Sequence, residues 1–226
     1  MSYSFGKSIV TDGLVFYVDA ANDNSYPGSG STWSDLIGGN DGTFSATPTT
    51  DSANGGSIVF DGVGDYVSIS NPPATNAGTV NSSISAWFKT SSDIVSNQTI
   101  YSERDGTTHI FNKLRINSNK ADYIFLTPSV TKVLSSSTSL STNTWHYVTG
   151  IKSGNDYSIY INGQLDISST EDVGSFSTGG TISTNIGKEI TGLYLNGNIA
   201  QIKIYNRALT PSEITQNYNA LKNRFI

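Results

Sequence analysis

The 226-residue sequence contains no cysteine, only two histidines and one methionine, and charged residues make up just 14% of it. The absence of cysteine excludes disulfide bonds, thiolate metal sites and a cysteine nucleophile. The two histidines stand outside any His-Glu-x-x-His, Gly-x-Ser-x-Gly or phosphate-loop motif, so they indicate neither a zinc site nor a catalytic triad. The composition therefore argues against the common hydrolytic and thiol-based enzyme classes.

Two other features are scarce: long apolar runs and positive charge. No segment approaches the roughly 18 apolar residues of a membrane-spanning helix, so no membrane insertion is predicted. The net charge of −5 gives nucleic acid no electrostatic reason to bind. The first ten residues lack the apolar region of a signal peptide, which predicts synthesis in the cytoplasm without standard secretion.

What the sequence does contain is a succession of short strand-like runs separated by turn signals. Leu14–Val18 reads as a strand buried on both faces, and Ile84–Lys89 as another. Trp145–Ile151 and Tyr157–Ile161 predict a hairpin, which Gln164–Ile167 extends into a meander. Asx-Gly pairs favour turns with positive φ; they occur at 12–13, 41–42, 54–55, 61–62, 105–106, 162–163 and 196–197. This pattern predicts an all-β fold.

One segment near the carboxyl end predicts a helix instead. Thr210 is placed as the N-cap, Pro211 as the first helical residue and Glu213 as the partner that closes a capping box. Leu209 and Ile214 have the spacing of a hydrophobic staple. We therefore expect a helix over about 211–222, docked on the β-structure.

No linker, internal repeat or change of composition divides the chain. The sequence thus predicts an N-terminal arm at residues 1–8 and a single domain at residues 9–226 that includes the helix. Aromatic and apolar residues, at 36% of the sequence, suffice for a core of that size.

Five segments in order resemble the laminin-G-like, concanavalin A-like lectin jelly-roll family. They are GLVFYVDAANDNSYPGSGSTWSDLIGG from Gly13, GSIVFDGVGDYVSI from Gly56, ISAWFK, WHYVTGIKSGNDYSIYINGQ and GNIAQIKIYNRALTPSEI. The resemblance implies two curved antiparallel sheets forming a jelly-roll sandwich with a short C-terminal helix. In that family sugar, protein or calcium sites lie at loop ends or on the concave face. The YPGSGSTW and GGSIVFDG versions are similar to domains of tailed-phage structural proteins and some bacterial surface proteins.

Some enzymes with this fold are glycosidases, which need two carboxylates flanking the scissile bond, about 5 to 9 Å apart. The glucanases of the fold take them from a Glu-x-Asp-x-Glu strand. Glu103-Arg104-Asp105 begins that pattern, but Thr107 stands where the third acid belongs. We therefore predict that the chain is not an enzyme, and that Glu103–Asp105 is a salt-bridged turn facing solvent.

The segment FDGVGDYV, from Phe60 to Val67, leaves two readings open. No helix signal follows it, which argues against a phosphate loop. Asp61 and Asp65 could instead supply two of the six to eight oxygens of a calcium site. The alternative is a tight turn in which Gly62 adopts positive φ and the aspartates accept hydrogen bonds from nearby amides. Asp19 and Asn22–Asn24 form a second oxygen-rich loop.

Among the aromatic residues, the tryptophans occupy positions that the resemblance assigns to the core: Trp33, Trp87 and Trp145. Other rings lie in polar surroundings where they could stack on a sugar, and we predict carbohydrate contacts for Tyr101, Tyr123 and Tyr194. The arm carries Tyr3 and Phe5, which have no core position and are candidates for attachment to a partner.

These observations lead to a hypothesis of function. The chain is expected to be a non-catalytic protein of the virion surface, either a capsid decoration or a component of a tail or neck fibre. Its expected partners are virion structural proteins and a host surface glycan, and homo-oligomers are an open option. The alternative is a carbohydrate-binding or adhesin module of an extracellular bacterial protein, and a glycosidase is the distant one.

Overall fold

The structure is a computed structural model, and it describes residues 8–70, 81–91, 96–105, 109–126, 131–172 and 182–226. Tyr3 and Phe5 lie outside these described residues, so their role in attachment stays a prediction. No helix within the described ranges is long and apolar enough to cross a membrane.

The described chain forms sixteen strands and one α-helix. In chain order they are β1 (Leu14–Asp19), β2 (Thr32–Trp33), β3 (Gly42–Phe44), β4 (Thr49–Asp51), β5 (Ser57–Asp61), β6 (Val67–Ile69), β7 (Ser82–Thr90), β8 (Gln98–Asp105), β9 (His109–Asn117), β10 (Lys120–Leu126), β11 (Thr131–Ser135), β12 (Trp145–Ser153), β13 (Asp156–Ile161), β14 (Gln164–Thr170), β15 (Ile182–Ile186), β16 (Asn196–Tyr205) and α1 (Pro211–Leu221).

The strands make two antiparallel sheets. The first has the order β14-β13-β12-β7-β16-β5-β4, with β1 also paired to β16. The second has the order β11-β10-β9-β8-β15-β6-β3-β2. Strand β16 is central to the first sheet, because β7 flanks one side of it while β5 and β1 share the other. The predicted sandwich of two antiparallel sheets is confirmed.

The main core lies between the sheets and draws on almost every long strand. Phe16, Phe60 and Ile199 come from the first sheet, and Trp33 and Leu114 from the second. Strand β1 alternates between buried and partly exposed positions, so the prediction that both its faces are buried is wrong. The reason is that β1 pairs at the side of β16, where only one of its faces is covered by the opposite sheet.

The C-terminal helix begins as the sequence predicts. The Glu213 amide donates to Thr210 Oγ1 at 3.4 Å, and the Thr210 amide donates to Glu213 Oε2 at 2.8 Å. Leu209 and Ile214 are buried in one cluster. The helix and the turn after it cover Trp87, whose ring is 5.7 Å from that of Tyr218. The capping box and the docking of the helix are therefore confirmed.

A hydrogen-bonded cluster fastens the start of the described chain to α1. The Val10 amide donates to Asn217 Oδ1 at 2.8 Å, and Asn217 Nδ2 donates to the Tyr205 hydroxyl at 3.0 Å. That hydroxyl donates in turn to the Val10 carbonyl at 2.9 Å. Gln216 Nε2 also donates to the Ser8 carbonyl at 2.7 Å. The segment at Ser8–Val10 is thus held at the Tyr205 end of β16.

The Asx-Gly pairs divide into turns and strand positions. Asn162 and Gly163 have φ values of 51° and 81° and close the β13–β14 hairpin, as predicted. Gly42 and Asn196–Gly197 instead begin strands β3 and β16, so the turns predicted there are wrong. Ladder pairing with β6, β5 and β7 holds these residues in strands despite their local turn preference.

Candidate functional site

Two tyrosines and a lysine form a partly exposed group at one end of the sandwich. The ring centroids of Tyr66 and Tyr194 are 6.4 Å apart, and their planes are inclined by 53°. The Lys188 ammonium lies 4.0 Å from the Tyr66 centroid and 5.4 Å from that of Tyr194. All three side chains are partly exposed. We call Tyr66, Lys188 and Tyr194 the tyrosine–lysine patch.

The position of Tyr66 follows from the alternation of the strand it precedes. Val67 and Ile69 of β6 point into the core, so Tyr66 and Ser68 project to the other face. The backbone at Tyr66 is held by Ser45: the Ser45 amide donates to the Tyr66 carbonyl at 2.9 Å, and the Tyr66 amide donates to Ser45 Oγ at 3.0 Å. One ring of the patch therefore stands on a fixed strand end.

Lys188 and Tyr194 come from the loop that joins β15 to β16. Its two ends meet, since the Leu195 amide donates to the Gly187 carbonyl at 2.9 Å. Gly187 has a φ of 79°, and a Cβ there would lie 2.5 Å from the Phe60 ring. Only glycine fits this conformation and this space. The loop can therefore turn back and place Lys188 over the rings.

The next residue, Glu189, pins the loop to the second sheet. Its carboxylate is buried and pairs with the Arg104 guanidinium at 2.5 Å and with the Lys113 ammonium. Ser102 Oγ also donates to the Lys188 carbonyl at 2.9 Å. Removing one partner of a buried ion pair destabilises a protein strongly. These contacts therefore hold the loop backbone in place, and the loop supports the patch rigidly.

The patch offers the contacts that a sugar needs. Two aromatic faces can pack against the apolar C–H surface of a pyranose ring, while the phenol hydroxyls donate and accept hydrogen bonds. An ammonium over an aromatic face adds a positive charge that remains partly exposed to water. Ile190, in the same loop, has an exposed side chain.

The nearby segment from Asp61 to Asp65 is a tight turn. Asp61 Oδ1 accepts from the Val63 and Gly64 amides at 2.8 and 3.0 Å, and Asp65 Oδ2 accepts from the Asp61 amide at 3.2 Å. Gly62 has a φ of 82°. The amide hydrogen bonds, with that from Gly64 the largest cause, lower the pKa of the Asp61 carboxyl. Burial is the main cause that raises the pKa of the Asp65 carboxyl, and the Asp61 charge is the second. The turn that the sequence allowed is confirmed.

Calcium at Asp61 and Asp65 stays a prediction. Within the described ranges no group of three or more His, Cys, Asp or Glu side chains is placed to hold a metal ion. One oxygen of each aspartate already accepts amide hydrogen bonds, so a calcium ion here would need further oxygens from the backbone or water. A rise in melting temperature with millimolar calcium, lost in Asp65→Asn, is the measurement that decides between metal and turn.

Two of the predicted sugar-contacting tyrosines are in the core. Tyr101 on β8 and Tyr123 on β10 have no exposed surface. The Tyr123 hydroxyl donates to Asn112 Oδ1 at 2.8 Å, and its ring meets Phe125 edge-on at 5.0 Å. The prediction that they stack on sugar is corrected, because both tyrosines point from their strands into the main core. Tyr194 alone of the three reaches the surface, and its role stays a prediction.

The predicted solvent-facing turn at Glu103–Asp105 is also wrong. These residues belong to β8, and Glu103 is only 1% exposed, accepting from Asn112 Nδ2 at 3.3 Å. Arg104 is turned to the opposite face and pairs with Glu189. Pairing of β8 with β9 and β15 converts the expected turn into a buried strand.

A concave region of the surface lies beside the Ser57 end of β5. It is an open cleft of about 190 Å³ whose lining includes Asp23, Tyr26, Thr50, Asp51 and Ser57. The oxygen-rich loop that borders it is largely engaged internally. Arg224 pairs with both carboxylate oxygens of Asp19, at 3.0 and 2.9 Å, and Asn22 Oδ1 accepts from the Asn24 amide. The cleft therefore presents mainly loop backbone and the Asp23 and Asp51 side chains.

The residue-based predictions did not include Tyr66 or Lys188. The alternation Tyr66-Val-Ser-Ile69 is a signal that could have placed Tyr66 outward. No comparable signal exists for Lys188, because its position depends on how the loop at 187–195 closes.

Two face-to-face antiparallel sheets with an aromatic patch at a loop end define a lectin-type jelly-roll domain. The family model described as the concanavalin A-like lectin/glucanases superfamily matches residues 61–215. The chain belongs to this superfamily. No curated protein sequence matches it.

Solved structures with the same fold are distant in sequence. Domain 4 of AbnA, a GH43 extracellular arabinanase from Geobacillus stearothermophilus solved with arabinotriose, has a TM-score of 0.70 and 18% identity over 91% of this chain and 98% of its own. The ligand-binding domain of botulinum neurotoxin serotype D, solved with N-acetylneuraminic acid, has a TM-score of 0.69 and 22% identity over 92% of this chain and 50% of its own. The binding domain of Paraclostridial Mosquitocidal Protein 1 has a TM-score of 0.74 and 15% identity over 92% of this chain and 52% of its own. The chain thus spans about half of each toxin domain.

Proposed function

We propose that the chain is a non-catalytic carbohydrate-binding domain and that the tyrosine–lysine patch is its binding surface. The observation that carries the proposal is the pair of partly exposed rings of Tyr66 and Tyr194, held 6.4 Å apart on a fixed strand end and a pinned loop. The arabinanase domain solved with arabinotriose and the toxin domain solved with N-acetylneuraminic acid support it, since both share the fold.

Binding without catalysis fits the position of the acid that the sequence offered for glycosidase chemistry. Glu103 is buried between the sheets and hydrogen-bonded to Asn112, so it cannot reach a glycosidic bond from outside. Glycoside hydrolysis needs a pair of carboxylates with the sugar between them. The patch instead supplies stacking faces, hydroxyls and one ammonium, which hold a sugar without activating water.

Replacing Tyr194 by Ala is expected to weaken glycan binding roughly fivefold, since an aromatic contact is worth about 1 kcal/mol and a factor of ten corresponds to about 1.4 kcal/mol. The same is expected for Tyr66→Ala. A glycan array identifies ligands, and calorimetry with the best of them gives the affinities. Leu165→Ala serves as the control, because it removes an exposed side chain on β14, at the edge of the first sheet.

Two results would contradict this proposal. Unchanged affinity in both tyrosine variants would exclude the patch as the binding surface. Release of reducing sugar from a bound polysaccharide, abolished by Glu103→Gln, would replace the binding function by an enzymatic one.

We further propose that the domain is displayed on the surface of a virion, as a capsid decoration or fibre component, with residues 1–8 as the attachment. The resemblance of the YPGSGSTW and GGSIVFDG segments to phage structural proteins motivates this role. Deleting residues 1–8 is expected to abolish incorporation into particles while circular dichroism of the isolated domain stays unchanged. Full occupancy of the truncated protein in particles would refute the attachment, and a gene flanked by secretion signals and catalytic domains would favour the extracellular alternative.

A further inference from the structure

Lys188 differs from most other basic side chains in having no acidic partner. Its ammonium faces two tyrosine rings, and within the described part of the chain it makes neither an ion pair nor a hydrogen bond. By contrast, Arg104, Lys113 and Arg115 each pair with a carboxylate. The patch therefore carries a positive charge that no carboxylate of the described ranges pairs with.

The acidic groups around Lys188 are occupied elsewhere. Glu189, its neighbour in sequence, is buried against Arg104 and Lys113. Asp61 accepts hydrogen bonds from the amides of its own turn. Asp65 Oδ2 accepts a hydrogen bond from the Asp61 amide at 3.2 Å. These carboxylates therefore leave the Lys188 charge available to a ligand.

The setting of this charge matters because the whole chain is acidic. With a net charge of −5, most of the surface repels an anion, and a local cation is needed to hold one. The two aromatic faces fix the ammonium beside the stacking surface and limit the number of its rotamers. A ligand that places a negative group on Lys188 can at the same time lay a sugar ring against Tyr194 or Tyr66.

We propose that the patch selects acidic saccharides, with the carboxylate of a sialic or uronic acid residue on the Lys188 ammonium and a sugar ring on the tyrosines. This inference rests on the proposed carbohydrate-binding function and adds its ligand class. The phenol hydroxyls supply further donors to the carboxylate or to ring hydroxyls. Because Lys188 is partly exposed, added salt screens the contact and weakens binding.

The test compares matched acidic and neutral ligands by calorimetry. The probes are 3′-sialyllactose against lactose, and oligogalacturonate against its methyl ester. The wild-type protein is expected to bind at least one acidic member about tenfold or more tightly than its neutral counterpart. Lys188→Gln is expected to abolish the difference, Lys188→Arg to keep most of it, and 500 mM salt to reduce it.

Lys222→Gln is the matched control. The Lys222 ammonium also lies over a tyrosine, 5.8 Å from the ring centroid of Tyr218, but outside the patch. Equal binding of acidic and neutral members, unchanged by Lys188→Gln but lost in Tyr194→Ala, would overturn the acidic selectivity and leave carbohydrate binding in place. Absence of binding to either member of both pairs and throughout a glycan array would overturn both proposals.

Discussion

Raising the pH from 7 to 10 is expected to stabilise the wild-type protein by on the order of 4 kcal/mol more than a variant that lacks one buried lysine. The cause is Lys203 on β16, whose side chain is fully buried. Burial lowers its pKa from 10.5 to about 7, with the Arg224 charge acting in the same direction and Asp19 opposing it. Its ammonium contacts Gln201 Oε1 and lies 4.9 Å from the Tyr17 ring.

The sign follows from the protons that each state binds. Between pH 7 and 10 the unfolded chain keeps the Lys203 proton while the folded chain has lost it, so the free energy of unfolding rises with pH. Below pH 7 both states hold the proton and the full cost of burying the charge remains. The gain corresponds to about 1.4 kcal/mol for each pH unit that separates the folded pKa from the unfolded one.

In the wild type the net rise is expected to end near pH 9. Burial raises the pKa of Tyr147 and of Tyr157 to about 12, and it raises the pKa of six further tyrosines as well. From about pH 9 upward the unfolded tyrosines ionise while these folded ones stay protonated, so stability falls again. The urea-unfolding free energy, measured at unit pH intervals from 6 to 11, should therefore pass through a maximum.

Lys203→Met separates this cause from all others. The variant is expected to be more stable than the wild type at pH 7 and to lose most of the rise between pH 7 and 9, because no charge is then buried. Lys120→Met, at a partly exposed hairpin position, is the control and should keep the wild-type slope. A wild-type stability that is flat or falling between pH 7 and 9, or a Lys203→Met profile parallel to that of the wild type, would contradict the assignment.

Gly150→Ala is expected to destabilise the protein by about 2 kcal/mol or more, although glycine-to-alanine changes in strands are often favourable. Gly150 lies on β12 in the first sheet, facing the second. A Cβ there would lie 2.5 Å from Tyr123 Cδ2 and 2.7 Å from its Cγ. The Tyr123 ring cannot retreat, since Asn112 holds its hydroxyl and Phe125 packs against its edge.

Urea unfolding of four variants tests this close approach of the sheets. Gly64→Ala is the matched control, because a Cβ there meets no atom within 4 Å. Tyr123→Leu removes the ring, and adding Gly150→Ala to it should cost much less than in the wild type, which a double-mutant cycle measures as coupling. An unfolding midpoint for Gly150→Ala equal to that of Gly64→Ala would refute the clash.

The features that the sequence predicted correctly depend on contacts between near neighbours in the chain. The capping box needs only Thr210 and Glu213, and the β13–β14 turn needs only Asn162 and Gly163. Strands β7, β12 and β13 were accessible because turn residues and β-branched runs alternate. Local chemistry was sufficient at these points, so propensity and structure agree.

The errors arose where distant strands decide the outcome. Tyr123 and Glu103 have polar neighbours that suggest exposure, but pairing with β9 sets the register that turns both inward. The patch itself joins Tyr66 to a loop far along the chain, and its geometry depends on Gly187 fitting beside Phe60. No local pattern encodes such a meeting, because it is created when the two sheets close on each other.

Strand β16 also sets how the domain would carry a mechanical load. Its first residue, Asn196, lies two residues after Tyr194, and its last, Tyr205, holds Val10. Ten residues at about 3.3 Å each separate these points by roughly 30 Å. A pull between a glycan on the patch and the chain at Val10 would run along β16, perpendicular to its ladder hydrogen bonds to β7, β5 and β1. Those bonds would then be sheared together rather than opened one at a time, which makes β16 the tension-bearing axis of the domain.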